Sequence, residues 1–143
     1  MEYKLSKSSN KDTNRLIEYK KRTIYEYAKD LSNEEIDKIN KYITGEVPKL
    51  INYYCNIVVD NKIVGCLLLT NKDNGKLLDE IYLEKEYRNK GIGTEIIKGI
   101  LNNNDTVYLW VYKENEKAIS LYKKLGFNVI EETETRYYMK YNK

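Results

Sequence analysis

The segment 87-YRNKGIGT-94 decides the fold, because it joins two stretches with different hydrophobic periods. Before it, 76-KLLDEIYL-83 is a long apolar run of the kind that forms a strand. After it, apolar residues recur at helical spacing to about residue 103. The chain has only 7 glycines and places two of them, Gly91 and Gly93, at this junction. The segment therefore predicts a tight connection from a strand to the start of a helix.

The same junction is a candidate anion site. The first amides of a helix lack intrahelical partners, and the helix dipole attracts negative charge to that end. Glycines let an anion approach the backbone, and Arg88 and Lys90 add positive charge at the rim. The Walker pattern is absent, and the dinucleotide pattern G-x-G-x-x-G fails at Ile96. Spacing alone leaves two interpretations open: a phosphate site over residues 88–94, or glycines that only shape the turn.

The hydrophobic periodicities on either side of this segment predict an α/β (α+β) fold with four helices packed on a mostly antiparallel sheet. Strands are expected at 1–5, in a hairpin over 53–71 that turns at Asp60-Asn61, and at 76–83, 106–111, 128–133 and 136–141. Helices are expected at 13–31, from the capping box at Ser32 to an end set by Gly45 and Pro48, at 91–103 and at 115–127. Residues 1–143 have no internal linker or repeat, which predicts a single domain.

Composition excludes several classes of function. The 25 basic and 22 acidic residues are interspersed, so no electrostatic stripe for nucleic acid is expected. No apolar run approaches the ~18 residues of a membrane span, and the first residues lack a secretory apolar region, so a cytoplasmic protein is expected. The chain has no histidine, which excludes Ser–His–Asp and Cys–His catalysis and a Cys/His zinc site. We expect no metal.

The two cysteines, Cys55 and Cys66, belong to the two arms of the predicted hairpin. A turn at Asp60-Asn61 places them opposite each other, because both pairs of numbers sum to 121. Two free buried thiols are expected rather than a disulfide, since the cytosol is reducing.

Two motifs together resemble one known family. Arg88-x-x-Gly91-x-Gly93 resembles the [Q/R]-x-x-G-x-[G/A] signature of the GNAT (GCN5-related) N-acetyltransferases. The later segment Asn115-x-x-Ala118-x-x-x-Tyr122, which continues to Gly126-Phe127, resembles the family's N-x-x-A-x-x-x-Y-x-x-x-G-F segment. The order of elements also agrees over the whole chain and implies a mixed sheet of about six to seven strands. One departure is the sequence 83-LEKEY-87, where the family often has a proline.

The resemblance implies that acetyl-CoA is the acyl donor. The pyrophosphate would lie on the loop formed by Arg88, Asn89, Lys90, Gly91, Ile92, Gly93 and Thr94. The pantetheine arm would bond to the backbone of Ile81, Tyr82 and Leu83 in a form of β-augmentation. The strand that ends at Val111 would splay away and leave a V-shaped gap for the arm. Asn115 would hold the start of the last helix near the cofactor.

The resemblance also implies roles in catalysis. Tyr122 would be the general acid toward the CoA thiolate, although a tyrosine on the inner face of a helix is by itself usually a core residue. Asp79 or Glu80 would be the general base; since neighbours on a strand face opposite sides, only one is expected to face the cleft. Asp79 matches an acid of several relatives, whereas Glu80 reaches further. Either one could instead be a surface or helix-paired carboxylate. Some relatives use no protein base at all and rely on water.

The expected activity is transfer of an acetyl group to a primary amine of a small molecule or a peptide. The alternative is a non-catalytic module that binds or senses acyl-CoA. Tyr19, Tyr25, Tyr27 and Tyr42 are candidates to line the acceptor pocket, and the lysines of 19-YKKRT-23 are expected on a solvated helix face. Members of the family are often dimers, so the resemblance also implies a possible homodimer.

Overall fold

Seven strands and four helices follow the predicted order in the computed structural model, which describes all residues from Met1 to Lys143. The strands are β1 (Lys4–Lys7), β2 (Tyr54–Val59), β3 (Lys62–Lys72), β4 (Gly75–Leu83), β5 (Thr106–Tyr112), β6 (Asn128–Glu132) and β7 (Arg136–Asn142). The helices are α1 (Thr13–Tyr27), α2 (Asn33–Lys49), α3 (Ile92–Asn103) and α4 (Glu116–Lys124).

All seven strands belong to one sheet in the order β1-β2-β3-β4-β5-β7-β6. Every neighbouring pair is antiparallel except β4 and β5, which are parallel. A parallel pair needs a crossover connection, and α3 supplies it between these two strands. The predicted mixed, mostly antiparallel sheet with four helices is confirmed.

Each face of the sheet has its own apolar core. On one face, α3 contributes five buried residues: Ile92, Ile96, Ile97, Ile100 and Leu101. On the other face, Leu16 and Tyr19 of α1 and Ile43 and Val47 of α2 are buried against β2, β3 and β4. The central strands are therefore apolar on both sides, as the hairpin sequence indicated.

The helix ends differ from the sequence prediction in three places. Helix α4 ends at Lys124 rather than at residue 127, because Gly126 has a left-handed backbone. Helix α1 ends at Tyr27, four residues early, because Ala28 already has an extended backbone and Asp30 a left-handed one. Helix α2 continues through Gly45 and Pro48 to Lys49. Burial of an aliphatic side chain stabilises by about 1.5–3 kcal/mol, and full burial of Val47 offsets much of the roughly 3 kcal/mol cost of a helical proline. None of the four helices combines the length and apolar character that a membrane crossing requires.

The predicted pairing of the two cysteines is wrong by one residue. A β-bulge between Ile57 and Val58 shifts the register, so Cys66 lies opposite Asn56 rather than Cys55. Cys66 is buried in the core beneath α1 and α2, whereas Cys55 packs against the core on the other face. Both thiols are free.

Candidate active site

The parallel strands β4 and β5 separate after a short stretch of pairing. Their register includes only three pairs, of which Leu78 with Leu109 is the last. Beyond this point β4 stays paired with β3 as far as Leu83, and β5 stays paired with β7 as far as Tyr112. The sheet therefore opens between its two halves, as the resemblance implied.

A β-bulge in β4 lies where the opening begins. Leu68 pairs with Glu80 and Leu69 with Leu78, which leaves Asp79 as the extra residue. A bulge bends its strand and interrupts the alternation of side chains. The expectation that only one of Asp79 and Glu80 faces the cleft therefore fails, because both line the same cavity.

The backbone of β4 offers polar groups to the opening. The Glu84 N–H donates to the Val64 carbonyl of β3 at 2.8 Å, so by alternation the backbone groups of Ile81 and Leu83 point toward the gap. The same alternation directs those of Tyr82 toward β3, contrary to the expectation that all three residues are available. Arg88 Nε donates to the Leu83 carbonyl at 2.7 Å. Its guanidinium lies 5.4 Å from the centre of the Tyr82 ring, so it extends back along the strand rather than standing at the loop rim.

The glycine loop, residues 88–94, leads into α3. Gly91 is the N-cap residue with φ of +87°, which favours glycine. The Glu95 N–H donates to the Gly91 carbonyl at 3.0 Å, and the three amides before it, from Ile92 to Thr94, belong to the unpaired helix start. Lys90 is exposed at the surface.

Gly93 has no explanation within the fold itself. It lies in the first turn of α3 without a positive φ, and a Cβ added there would meet only Leu83 Cδ1, at 4.0 Å. Glycine in a helix costs about 1 kcal/mol relative to alanine. The missing side chain instead opens the backbone to the cavity beside it, where a ligand could approach the amides.

Two cavities meet at the opening. The glycine-side cavity, of about 390 Å³, is lined by Ile81, Leu83, Arg88, Asn89, Gly91, Gly93, Thr94, Ile97, Asn115, Lys117, Ala118, Leu121 and Tyr122. The aromatic cavity, of about 270 Å³, is lined mainly by α1, β4 and β5. Ile81, Asn115 and Tyr122 line both cavities. Asn115 is also the N-cap of α4, where its Oδ1 accepts from the Ala118 N–H at 3.3 Å.

Tyr122 is placed where the two cavities join. Burial, with a smaller contribution from Tyr27, raises the pKa of Tyr122 to about 12. Its ring packs 5.7 Å from that of Phe127, while its hydroxyl forms no hydrogen bond within the chain. The hydroxyl is therefore protonated at neutral pH and free to donate to a bound group.

The two neighbouring carboxylates have different surroundings. Glu80 is buried, and its oxygens accept from Tyr54 Oη at 3.0 Å and Cys66 Sγ at 3.1 Å, with Lys20 Nζ at 3.2 Å. Burial, followed by the charge of Glu80, raises the pKa of both Tyr54 and Cys66, so both remain donors. Asp79 is exposed and makes no ion pair or hydrogen bond. Only Asp79 is thus free to accept a proton from a ligand.

Four further aromatic residues line the aromatic cavity: Tyr27, Tyr42, Trp110 and Tyr112. Tyr27 and Tyr42 line it as expected, with Tyr27 stacked 5.1 Å from Tyr112. Tyr19 and Tyr25 do not line it. Tyr19 donates to Glu84 at 2.9 Å, and the Tyr25 hydroxyl donates to Asn40 of α2 at 2.6 Å.

The sequence did not predict several residues of this cavity, among them Lys20, Trp110 and Arg136. Lys20 was expected on a solvated face, but it reaches Glu80 through the side of α1 that faces the sheet. Trp110 and Arg136 are neighbours across β5 and β7, and the only sequence signal for them was their position on adjacent predicted strands.

Comparison with known proteins agrees with this arrangement. The sequence profile described as "Acetyltransferase (GNAT) domain" matches residues 52–129, more than half of the chain. The probable N-acetyltransferase san of Drosophila melanogaster is 36% identical over 102 residues, 66% of this chain and 53% of its own length. N-alpha-acetyltransferase 50 of Danio rerio is 36% identical over 112 residues, 71% of this chain and 64% of its own length. The chain thus spans between half and two thirds of these relatives.

The chain is also similar to a spermidine acetyltransferase over a shorter stretch and to a solved structure over its full length. Spermidine N(1)-acetyltransferase of Escherichia coli (strain K12) is 45% identical over 56 residues, 35% of this chain and 30% of its own length. The crystal structure of the PaiA N-acetyltransferase from Thermoplasma acidophilum, in complex with coenzyme A, superposes with a TM-score of 0.75. That superposition covers 100% of both chains at 25% identity.

The raised pKa of Tyr122 can be measured directly. A phenol is neutral below its pKa, so raising that pKa extends the protonated form to higher pH. We expect the Tyr122 Cζ resonance in tyrosine-labelled protein, assigned by its loss in Tyr122→Phe, to remain that of a phenol above pH ~10, the ordinary tyrosine midpoint. A midpoint for Tyr122 at or below pH ~10 would contradict the assigned environment.

Proposed function

This chain belongs to the GNAT family of acetyltransferases, and from that premise we propose that it transfers an acetyl group from acetyl-CoA to a primary amine. The observation that carries the proposal is the opening between β4 and β5, which connects the two cavities beside Tyr122. A thioester held on one side of the sheet can meet an amine held on the other side only through such an opening. The acceptor is a small molecule or a peptide.

The glycine-side cavity fits the phosphate end and the arm of coenzyme A. The amides from Ile92 to Thr94 provide donors for the pyrophosphate, and the bare backbone of Gly93 allows it to approach. Lys117, which contacts Asn89 of the loop, adds a cation at the same edge. The polar backbone of Ile81 and Leu83 provides bonds for the pantetheine amides, in the manner of an added strand.

The acceptor amine must be neutral before it can attack a carbonyl carbon. An alkyl amine with pKa near ~10.4 is almost fully protonated at neutral pH. Asp79 lines the aromatic cavity with its carboxylate unpaired, so we assign it the role of base, directly or through water. Glu80 is already engaged by Lys20, Tyr54 and Cys66, and we assign it to holding the floor of the cavity.

The backbone and Tyr122 complete the chemistry. The Ile81 N–H points into the gap where the two cavities join, and it can donate to the thioester oxygen, where negative charge develops during attack. The Ile81 carbonyl and the Leu83 N–H remain for the pantetheine amides. Tyr122 can donate its proton to the departing thiolate, because its hydroxyl is protonated at neutral pH and makes no hydrogen bond within the chain. The amine nitrogen gains a bond to the acetyl carbon, the carbon–sulfur bond breaks, and free CoA leaves as the thiol.

The site for CoA is tested by adding a side chain to the glycine loop. Gly93→Val should weaken CoA binding about a hundredfold or more, since its methyl groups occupy the approach to the amides. Gly99→Val is the matched control, because Gly99 lies in the same helix with nothing within 4 Å of an added Cβ. Isothermal titration calorimetry measures the affinity of both variants for CoA, and circular dichroism checks that their helix content is unchanged. Equal affinity for CoA in the two variants would place the phosphate site elsewhere.

Turnover distinguishes an enzyme from a binding module. Thiol release from acetyl-CoA should depend on an added amine, and Asp79→Asn should lower kcat/KM by about 10²–10⁴-fold, as expected for loss of a general base. Asp60→Asn, the same change at the exposed β2–β3 turn, should have no effect. Tyr122→Phe should lower kcat while CoA still binds. Binding of CoA without any amine-dependent release would replace the enzyme with the alternative, a non-catalytic acyl-CoA module.

A further inference from the structure

A third cavity continues the aromatic cavity outward. This basic cavity, of about 550 Å³, lies between α1, α2 and the start of β7. It shares five lining residues with the aromatic cavity: Ile24, Tyr27, Tyr42, Tyr112 and Arg136. An acceptor whose amine lies near Asp79 therefore extends into the basic cavity if it is longer than the aromatic cavity.

The basic cavity carries positive charge and no carboxylate. Lys29, Lys38 and Arg136 line it, and no Asp or Glu does. Lys29 and Arg136 take part in no ion pair, and the one ion pair of Lys38 is an exposed contact with Glu34 at 3.6 Å. Exposed pairs of this kind are worth about 0–1 kcal/mol, so Lys38 remains available to a ligand.

Charge changes sign along the path from the inner to the outer cavity. At the inner end, Lys20 and Glu80 offset each other, and the unpaired Asp79 leaves a negative charge. The middle is apolar, formed by residues such as Ile24 and Tyr27. A ligand that is positive at one end and negative at the other matches this sequence of charges.

Arg136 is held in position to recognise an anion. Its guanidinium carbon lies 4.7 Å from the centre of the Trp110 ring, and Trp110 in turn stacks on Tyr138 at 4.5 Å. Stacking fixes the plane of a guanidinium and leaves its N–H groups free at the edge. Two of those N–H groups can donate to the two oxygens of a carboxylate, which gives bidentate binding. Arg136 also lines both cavities, so it marks the boundary where an acceptor would pass from one to the other.

Resting on the proposed transferase function, we propose that the acceptor is a primary amine that carries a carboxylate elsewhere on the same molecule. Arg136 determines this specificity, with Lys29 and Lys38 supporting it from the helices. A polyamine, with positive charge along its whole length, is disfavoured by the same residues. The preference differs from the substrate named for the spermidine acetyltransferase of E. coli.

The test compares acceptors that differ only in charge beyond the amine. Three peptides with amidated C-termini begin with the same residue and continue with Asp-Asp, Asn-Asn or Arg-Arg, so that the N-terminal amine is the one acceptor in each; glutamate and spermidine form the small-molecule arm. We expect kcat/KM for the Asp-Asp peptide to exceed that for Asn-Asn by about tenfold, as one charged hydrogen bond allows, and that for Arg-Arg by more. Preference for glutamate over spermidine without a peptide preference would identify a small acidic acceptor. The ratio of kcat/KM between the Asp-Asp and Asn-Asn peptides should fall as salt is added, because salt screens the charges.

Charge variants separate recognition from a merely structural role. Arg136→Gln should abolish the preference for Asp-Asp, and Arg136→Glu should reverse it in favour of Arg-Arg. Lys62→Gln, at an exposed position on β3 outside both cavities, should leave the ratio unchanged. Thermal unfolding verifies that each variant is folded. A loss of rate that is equal for all three peptides would overturn the assignment of Arg136.

Two failures are distinguishable. Equal kcat/KM for acidic, neutral and basic acceptors in the wild type would overturn this inference and leave the transferase standing. Absence of amine-dependent thiol release with every acceptor would overturn the transferase, and the specificity proposal with it.

Discussion

The whole site depends on the loss of hydrogen bonding between β4 and β5 after Leu78 and Leu109. A sheet that remained paired would place continuous backbone between the glycine loop and the aromatic side chains. The bulge at Asp79 coincides with the start of the separation and is its physical reason, since an extra residue bends the strand away from its former neighbour. The unpaired edge of β4 is stable because β3 still pairs with its other edge up to Leu83.

The same bulge gives two adjacent acids, Asp79 and Glu80, different surroundings and therefore different proposed roles. Glu80 lies buried at the floor of the aromatic cavity, where three donors hold it, while Asp79 projects from the bulge toward solvent at the same cavity. Residues of nearly identical chemistry thus become a structural anchor and a free base through their environment alone. The proposed mechanism and the proposed acceptor specificity both use this free charge at the inner end of the cleft.

Local pattern was enough to predict the elements, their order and the glycine loop, because periodicity and glycine placement are properties of short segments. Features that arise from pairing between distant segments could not be predicted from local sequence pattern. Each of the two bulges, at Ile57–Val58 and at Asp79, depends on cross-strand geometry, and each changed which side chains face one another. Burial of Val47 extended α2 through Pro48, and the approach of Lys20 to Glu80 joined residues that no spacing connects. The resemblance predicted which residues form the candidate site, but the partners of those residues could be seen only in the fold.

Amide hydrogen exchange measured by NMR shows whether the opening in the sheet holds the arm of CoA, because it reports on each backbone N–H of β4 separately. Saturating CoA should slow exchange at Ile81 and Leu83, whose amides point into the gap, and should leave exchange at Tyr82, already directed toward β3, almost unchanged. If CoA binds with no change at Ile81 and Leu83, the arm of the cofactor does not lie in the opening.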